Sequence, residues 1–507
     1  MTRGRTPDTM PMQLSLDPRG ASRHQQIYDA LRAAILSGAL RHGERLPSSR
    51  VLARDLGVSR TTVLGAFSRL LGEGLVTGKS GAGTRVALMT APLRREDRTR
   101  ANGIAHSDDD APWLSSAGRA LFAEGKWRRI PTRATPFAAG IPALELFPLT
   151  TWTRLAARRW RLSGRDLLLP DDSQGYGPLR EAIARYAVTA RGARCKAEQV
   201  VIVNGAQHAI DLCARLLVGP GDEVWMESPC YAPARGVFAA AGATLIDVPV
   251  DADGLDVARG LELAPSARLA FVTPSFQSPL GVTMSLERRV ALLDWAKRSG
   301  AWVVEDDYNG EYRYDTTPIP AMQGLDTGDR VLYIGTFSKT LSPAIRLGYL
   351  ILPLALVAAF TRARLLLDRH SAVPEQAILA DFISSGHFAR HIRRTRALYQ
   401  QRQRAFVSLA ARELGGLITV DAAPAGMWLV GWLPRDMSDL EVVEEAGRRG
   451  VVLVAMSPYL GGTGHGPGLL FGYAPYTAAQ MRVAMRELAS VIRDVRARAL
   501  LGGAANR

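Results

Sequence analysis

The chain has 507 residues, 47% of them hydrophobic and 22% charged, with 63 Lys or Arg against 48 Asp or Glu. That length is too great for one hydrophobic core and predicts two unequal domains with a linker, in a composition ordinary for a soluble globular protein. The basic excess is uneven, since residues 1–90 carry 13 Lys or Arg against 6 Asp or Glu, and this points to a polyanionic partner for the N-terminal part.

The first residues, Met1-Thr2-Arg3-Gly4-Arg5, lack the apolar core of a secretory signal. From Ser22 to Ser37, Ile27, Leu31, Ala34 and Ile35 fall at helical spacing. Gly38 and Gly43 punctuate, and Ser48-Ser49 supplies a cap for a second helix, Arg50 to Leu56, which Gly57 ends. Val58-Ser59 opens a third helix from Arg60 to Leu71. Helix, glycine turn, helix is the grammar of a helix-turn-helix, whose second member offers its first turn to the major groove. Ser59, Arg60, Thr61 and Thr62 sit at that turn, with hydroxyls and a guanidinium fork able to bond bases and phosphates. Two short strands then flank a glycine-rich tip in Gly74–Val86, a shape able to lie along a minor groove as a wing.

This stretch resembles the winged helix of the GntR regulators, through Gly43-Glu44-Arg45-Leu46-Pro47-Ser48-Ser49-Arg50 and Leu56-Gly57-Val58-Ser59-Arg60-Thr61-Thr62-Val63. The resemblance implies a DNA-binding domain over residues 15–88. It implies DNA contacts from Arg50, Ser59, Arg60, Thr61 and Thr62, with Ser80 and Gly81 at the wing tip.

Residues 89–134 show no sustained periodicity and read as a linker with one short helix near Trp113 to Phe122. From Pro136 onward, strand-like apolar runs alternate with helical patterns, which predicts an α/β domain with a parallel sheet and ligands at the carboxyl ends of its strands. The runs are 200–203, 223–226, 244–248, 269–273, 302–305 and 331–334. Cys195, Cys213 and Cys230 form no C-x-x-C pair, so neither a zinc site nor a disulfide framework is predicted and a reducing cytoplasm fits. The longest apolar run, Leu347 to Phe360, is too short to span a membrane and reads as a strand followed by a core helix.

Chemistry-bearing residues follow the strands directly. Asn204-Gly205-Ala206 precedes a helix from Ala209 to Leu217, a place where backbone amides bind phosphate. Tyr231 offers a ring to stack on a flat heterocycle. Glu305-Asp306-Asp307-Tyr308 puts acids and a phenol at one strand end; a magnesium site is the rival reading, without a phosphate-loop lysine to accompany it. Finally, Thr336-Phe337-Ser338-Lys339 and Arg346 provide an amine for an aldehyde, with hydroxyls and a fixed charge for a phosphate.

In order and local sequence, residues 135–495 resemble the fold type I aminotransferases, and the fused winged helix narrows this to MocR-type regulators of the GntR family. The resemblance implies pyridoxal phosphate on a mainly parallel sheet, a smaller C-terminal α+β subdomain, and a homodimer. It implies Lys339 as the Schiff base lysine, Asp306 at the pyridine nitrogen, Tyr308 at the phenolic oxygen and Tyr231 on the ring face. Asn204, Gly205, Ala206, Thr336, Ser338 and Arg346 surround the phosphate. Two positions depart from the pattern. Ser278-Pro279-Leu280-Gly281 lacks the usual asparagine, for which Gln277 or Ser278 is a substitute, and Leu470 stands where the carboxylate-clamping arginine belongs, with Arg235 an alternative approach. The expected function is a regulator that binds operator DNA and pyridoxal phosphate, and senses the cofactor or an amine. An active aminotransferase with an accessory DNA-binding domain is the alternative.

Overall fold

The computed structural model describes residues 16–17, 20–79, 83–87, 113–124, 136–314, 319–460 and 466–505. The chain divides into two compact units, 1–107 and 108–507.

In the first unit, α1 (Arg23–Leu36), α2 (Ser49–Asp55) and α3 (Arg60–Gly72) precede the antiparallel pair β1 (Val76–Lys79) and β2 (Gly83–Val86). The periodic residues Ile27, Leu31, Ala34 and Ile35 are all buried and share one core with Val63, Ala66, Phe67 and Leu70 of α3. The predicted start signals act as caps: the Ser48 hydroxyl accepts from the Val51 amide at 3.3 Å, and that of Ser59 from the Thr62 amide at 3.1 Å. Gly57 turns the chain between α2 and α3 at φ +62°, a left-handed conformation that a side chain would strain.

In the second unit, α4 (Ser116–Glu124), α5 (Leu149–Ser163) and α6 (Gly177–Arg191) lead to β3 (Val200–Val203) and α7 (Ala206–Leu217). Next come β4 (Glu223–Ser228), α8 (Ala232–Ala240), β5 (Thr244–Asp251), β6 (Gly254–Leu255) and β7 (Leu269–Val272). They are followed by β8 (Trp302–Asp306), β9 (Val331–Thr336) and β10 (Gly348–Ile351). These strands form one eight-stranded sheet in the order β3-β10-β9-β8-β7-β4-β5-β6. The pairs from β9 across to β5 are parallel, whereas β10 runs antiparallel to both β3 and β9, and β6 antiparallel to β5. Helices on both faces explain why β3, β7 and β10 are buried throughout and read as continuous apolar runs.

Two expectations need correction. Helix α7 starts at Ala206, three residues earlier than its apolar pattern suggested, because Gly205 at φ +87° turns the chain straight from the loop after β3 into the helix. The helix after β10, Leu354–Leu367, is not a core helix: Phe360 and Arg364 are buried, but Leu354, Leu365, Leu366 and Leu367 are exposed. Its apolar residues run all the way round, so the pattern could not mark which narrow face meets the sheet layer.

A smaller four-stranded antiparallel sheet completes the unit, with β11 (Thr419–Val420), β12 (Trp428–Trp432), β13 (Val454–Ala455) and β14 (Gly468–Gly472) in the order β11-β12-β14-β13. The helices 387–413 and 478–505 pack with this sheet around Phe137, Phe406 and Phe471. Among the described residues no helix is long and apolar enough to cross a membrane.

Candidate functional site

Strand β8 sorts its acids by the period of a strand, in which successive side chains point to opposite faces. Glu305 and Asp307 face one way and are consumed structurally. Glu305 accepts from the amides of Met322 and Gln323 at 2.8 and 3.0 Å. Asp307 accepts from Arg191 Nε and from the Tyr333 hydroxyl, both at 2.7 Å. Burial pushes the Asp307 carboxyl up, but the Arg191 charge outweighs it and leaves the group below its ordinary value. Asp306 faces the other way. It is buried, and its Oδ1 has no hydrogen-bond partner among the described residues. Burial, together with the Asp307 charge, raises this carboxyl to about 7, against the pull of Lys339. No group of three or more potential metal ligands occurs among the described residues.

Lys339 follows β9 and lies close enough to Asp306 for each to shift the other. Burial lowers its amine to about 8, opposed by the Asp306 carboxylate. Its Nζ donates to the Gly140 carbonyl at 2.9 Å. A Cβ on Gly140 would stand 2.7 Å from that nitrogen, and the residue also holds φ +79°. Gly140 is a site residue that sequence reasoning missed. Nothing local marks it, because its partner lies 199 positions away.

Three segments form an end of the site that suits an anion. Gly205 caps α7, where the first-turn amides have no intrahelical acceptor and the helix dipole favours negative charge. Arg346 adopts φ +55° and donates from Nη2 to the Asn204 carbonyl at 2.8 Å, with its guanidinium 3.4–3.6 Å from where a Gly205 Cβ would be. The Thr336 hydroxyl accepts from the Ser338 amide at 3.2 Å and shapes that turn. The side chain of Asn204 is turned elsewhere, donating to Asp368 at 2.9 Å, so this residue steadies Arg346 through its carbonyl. Tyr231, the residue before α8, feels both Asp306 and Arg346, although burial is the main cause that raises its phenol to about 12.

Tyr308 is buried, and its hydroxyl donates to the Phe276 carbonyl at 2.8 Å; its ring stacks on Trp428, with centroids 5.5 Å apart and planes within 4°. To donate to any ligand it must exchange that partner. Of the two substitutes for the usual asparagine, Gln277 is occupied: its amide nitrogen donates to Glu227, Pro229 and Ser278, and its oxygen accepts from the Leu280 amide. The Ser278 side chain lies beside the Tyr308 hydroxyl. Leu470 is buried in β14 between Val430 and Val454, and Arg235 is paired with Asp247.

These groups fit pyridoxal phosphate. An unpartnered buried carboxylate oxygen suits a ring N–H, a partly neutral amine suits an aldehyde, and an arginine at a helix N-terminus suits a phosphate.

In the first unit, Arg50, Ser59, Arg60 and Thr61 are exposed and Thr62 is half-buried at the start of α3. Ser59 and Thr62 share a hydroxyl contact of 2.8 Å, and Arg60 Nε donates to Ser49 at 3.3 Å. Arg45 lies against the wing, its Nε 2.6 Å from where a Gly83 Cβ would be. Ser80 and Gly81 lie outside the described residues.

Comparison with known proteins agrees with both halves. Residues 23–86 match the family of bacterial regulatory proteins named gntR, and residues 134–485 match aminotransferase class I and II. The chain is 42% identical to the probable rhizopine catabolism regulatory protein MocR of Rhizobium meliloti, over 92% of this chain and 93% of that protein. It is 30% identical to the pyridoxine biosynthesis transcriptional regulator PdxR of Corynebacterium glutamicum, over 92% and 95% of the two chains. The structure of LysN, an α-aminoadipate aminotransferase of Thermus thermophilus complexed with a phosphopyridoxyl-leucine, superposes with a TM-score of 0.66 at 27% identity, covering 71% of this chain and 92% of that one. A kynurenine aminotransferase of Pyrococcus horikoshii gives the same TM-score at 25% identity, with coverages of 75% and 95%. This chain therefore belongs to the MocR-type regulators of the GntR family, in which a DNA-binding winged helix is fused to an aminotransferase-like domain that takes pyridoxal phosphate.

Proposed function

We propose that this protein reads the presence of pyridoxal phosphate, or of an amine that meets it, at Lys339 and converts that reading into a change in operator binding. The observation that carries the assignment is the pair formed by Lys339, its amine lowered to about 8, and Asp306, a buried carboxylate with an unpartnered oxygen. When bound, the cofactor supplies an aldehyde for amine capture and a ring able to withdraw electrons. Asp306 holds the proton of the ring nitrogen, Tyr308 meets the ring oxygen, and Tyr231 covers the ring face. Gly205, Ala206, Thr336, Ser338 and Arg346 hold the phosphate, with Asn204 fixing Arg346 through its carbonyl. On the DNA side, Arg50, Arg60, Thr61 and Thr62 contact the operator, Ser59 caps the recognition helix α3, and Ser80 and Gly81 serve the wing.

Sensing requires that the effector bind two arrangements of the protein unequally. A route toward the linker is available within the second unit. Tyr231 stands at the start of α8, and α4, which lies in the linker region, packs on that same helix. A cavity of about 510 Å³ between them is lined by Ala117, Leu121, Val237 and Ala241. The effector is an amine or the cofactor itself. The relative named for pyridoxine biosynthesis favours the cofactor itself. The working form is a homodimer whose paired winged helices read paired half-sites. A reducing cytoplasm suits the free thiols of Cys195, Cys213 and Cys230.

The deciding experiment titrates the full-length protein with pyridoxal phosphate and then with amines, following visible absorbance and promoter-DNA retardation in the same samples. The reading predicts a visible band that borohydride traps, that Lys339→Ala abolishes, and that is accompanied by a change in DNA affinity. A colourless protein, or DNA affinity indifferent to cofactor and amine alike, overturns it. Sustained keto-acid release from an amino donor would instead support the aminotransferase alternative.

A further inference from the structure

Asn204 follows β3 directly and is gripped from three directions. Its backbone N–H donates to His208 Nδ1 at 3.1 Å, its side-chain amide donates to Asp368 at 2.9 Å, and its carbonyl accepts from Arg346 at 2.8 Å. The three partners belong to different segments. His208 stands in the first turn of α7, Asp368 ends the helix Leu354–Leu367, and Arg346 precedes β10.

His208 is the third helical residue after the cap Gly205, a position from which a side chain can reach back to a backbone N–H ahead of the helix. Because Nδ1 accepts, the ring is neutral and carries its proton on Nε2, which lies 3.8 Å from an Asp368 oxygen. Burial is the main cause that holds this imidazole below its ordinary value; Asp368 opposes it, and Arg364 and Arg346 reinforce it. A charged ring would surrender the Asn204 amide. Asp368 is fixed in its turn by Arg364, which donates to its two oxygens at 3.1 and 2.7 Å. Arg364 is fully buried and also donates to the carbonyls of Ser173 and Ile202, so it is anchored to β3 itself.

The Asn204 carbonyl and the Gly205 N–H share one peptide plane, so fixing the first fixes the direction of the second. Gly205 then turns at φ +87° into α7, with β10 so close that a Cβ on Gly348 would stand 3.0 Å from Gly205 Cα. We infer, on the assignment of pyridoxal phosphate to this site, that His208 and Asp368 are positioning residues for its phosphate: by holding Asn204 they aim the first-turn amides of α7 and the guanidinium of Arg346 at one point. Neither residue need touch the cofactor. Loss of either grip frees the peptide plane and spreads those donors over several directions.

The test compares two aldehydes on the full-length protein, pyridoxal phosphate and 5′-deoxypyridoxal, which has the same ring and no phosphate. Affinity is read from the visible band that borohydride traps. His208→Ala should weaken pyridoxal phosphate by about tenfold or more and leave 5′-deoxypyridoxal within about twofold of wild type. His208→Gln keeps an acceptor for the Asn204 amide and should return pyridoxal phosphate to within about threefold of wild type. Changing Asp368 strips the buried Arg364 of its counter-charge and endangers the fold, so that bond is read from its other end. Asn204→Ala leaves Arg364 and Asp368 paired and should also weaken pyridoxal phosphate by about tenfold. Circular dichroism melts check that each variant is folded. Unchanged pyridoxal phosphate affinity in either alanine variant, an equal loss for both aldehydes, or His208→Gln as weak as His208→Ala would each overturn the inference. If the wild type takes up no pyridoxal phosphate, the proposed function fails, and calorimetry with inorganic phosphate decides the role of His208. Phosphate bound about tenfold tighter by wild type than by His208→Ala upholds that role, and equal or undetectable binding overturns it.

Discussion

Replacing Asp306 with asparagine should move stability and cofactor affinity in opposite directions. An ordinary aspartate titrates near 3.9, and each tenfold change in a protonation equilibrium corresponds to about 1.36 kcal/mol. Burial, reinforced by Asp307 and Glu227 and opposed by Lys339, raises Asp306 to about 7. Ionising it in the cofactor-free protein therefore costs on the order of 4 kcal/mol. A carboxyl raised in the folded state contributes stability that is complete below about pH 4 and is lost as the pH rises through about 7. At pH 8 the wild type bears the whole cost and the asparagine variant bears none; at pH 4 the two are alike. The cofactor-free variant should thus melt higher than wild type at pH 8, with a difference that fades toward pH 4. A protonated ring nitrogen facing the carboxylate offsets the same cost, so the variant should bind pyridoxal phosphate about 10²- to 10³-fold more weakly, the equivalent of about 3–4 kcal/mol. Thermal melts at both pH values and a fluorescence titration with the cofactor measure the two effects. A variant no more stable than wild type at pH 8, or one that binds the cofactor within threefold of wild type, would refute the assignment of Asp306.

Capture of the aldehyde by Lys339 needs the neutral amine, and burial lowers that amine to about 8; the association rate should rise about tenfold per pH unit below 8 and level off above it, as stopped-flow absorbance would show. Gly140→Ala places a Cβ 2.7 Å from Lys339 Nζ in a backbone at φ +79°, and should slow capture at least tenfold in a protein that remains folded by circular dichroism. Arg60→Ala should weaken promoter binding by about 1–3 kcal/mol in an anisotropy titration while leaving the melting curve unchanged, since the side chain is exposed. Ser59→Ala removes a helix cap and should lower the stability of the winged helix by about 1 kcal/mol. Val237→Arg, introduced where α4 meets α8, should leave the cofactor spectrum intact and abolish the response of DNA binding to cofactor.

Much of the frame was legible in the sequence because its signals are local. Helix α1 shows in the spacing of Ile27, Leu31, Ala34 and Ile35, and α2 and α3 in their serine caps. The large sheet shows in buried runs such as Val200–Val203, and the order of chemical groups after β3, β4, β8 and β9 points to a cofactor. Signals fail where a role depends on what a distant segment does. Gly140 matters because Lys339 folds back onto its carbonyl. Asn204 looks like a phosphate ligand until Asp368 claims its amide. Gln277 looks like a substitute for asparagine until Glu227 claims it. For Asn204 and Gln277 the residue type was right for the expected chemistry, and a partner far along the chain decided its orientation.

The acid run at the end of β8 shows how one segment serves fold and function without conflict. Three consecutive carboxylates in a buried strand would repel one another and each cost several kcal/mol to desolvate. Alternation resolves this for two of them, since Glu305 and Asp307 share a face that already holds the Met322 and Gln323 amides, Arg191 and Tyr333. Asp306, on the opposite face, meets no such partner and is left with a raised carboxyl. Folding alone would favour an apolar residue there. A buried acid that the fold leaves unsatisfied, beside a lysine that burial has made a weaker base, is an arrangement that suits a cationic ring. On this view the strand ends around Asp306 are tied to α8, which starts at that site and packs on α4 within the second unit.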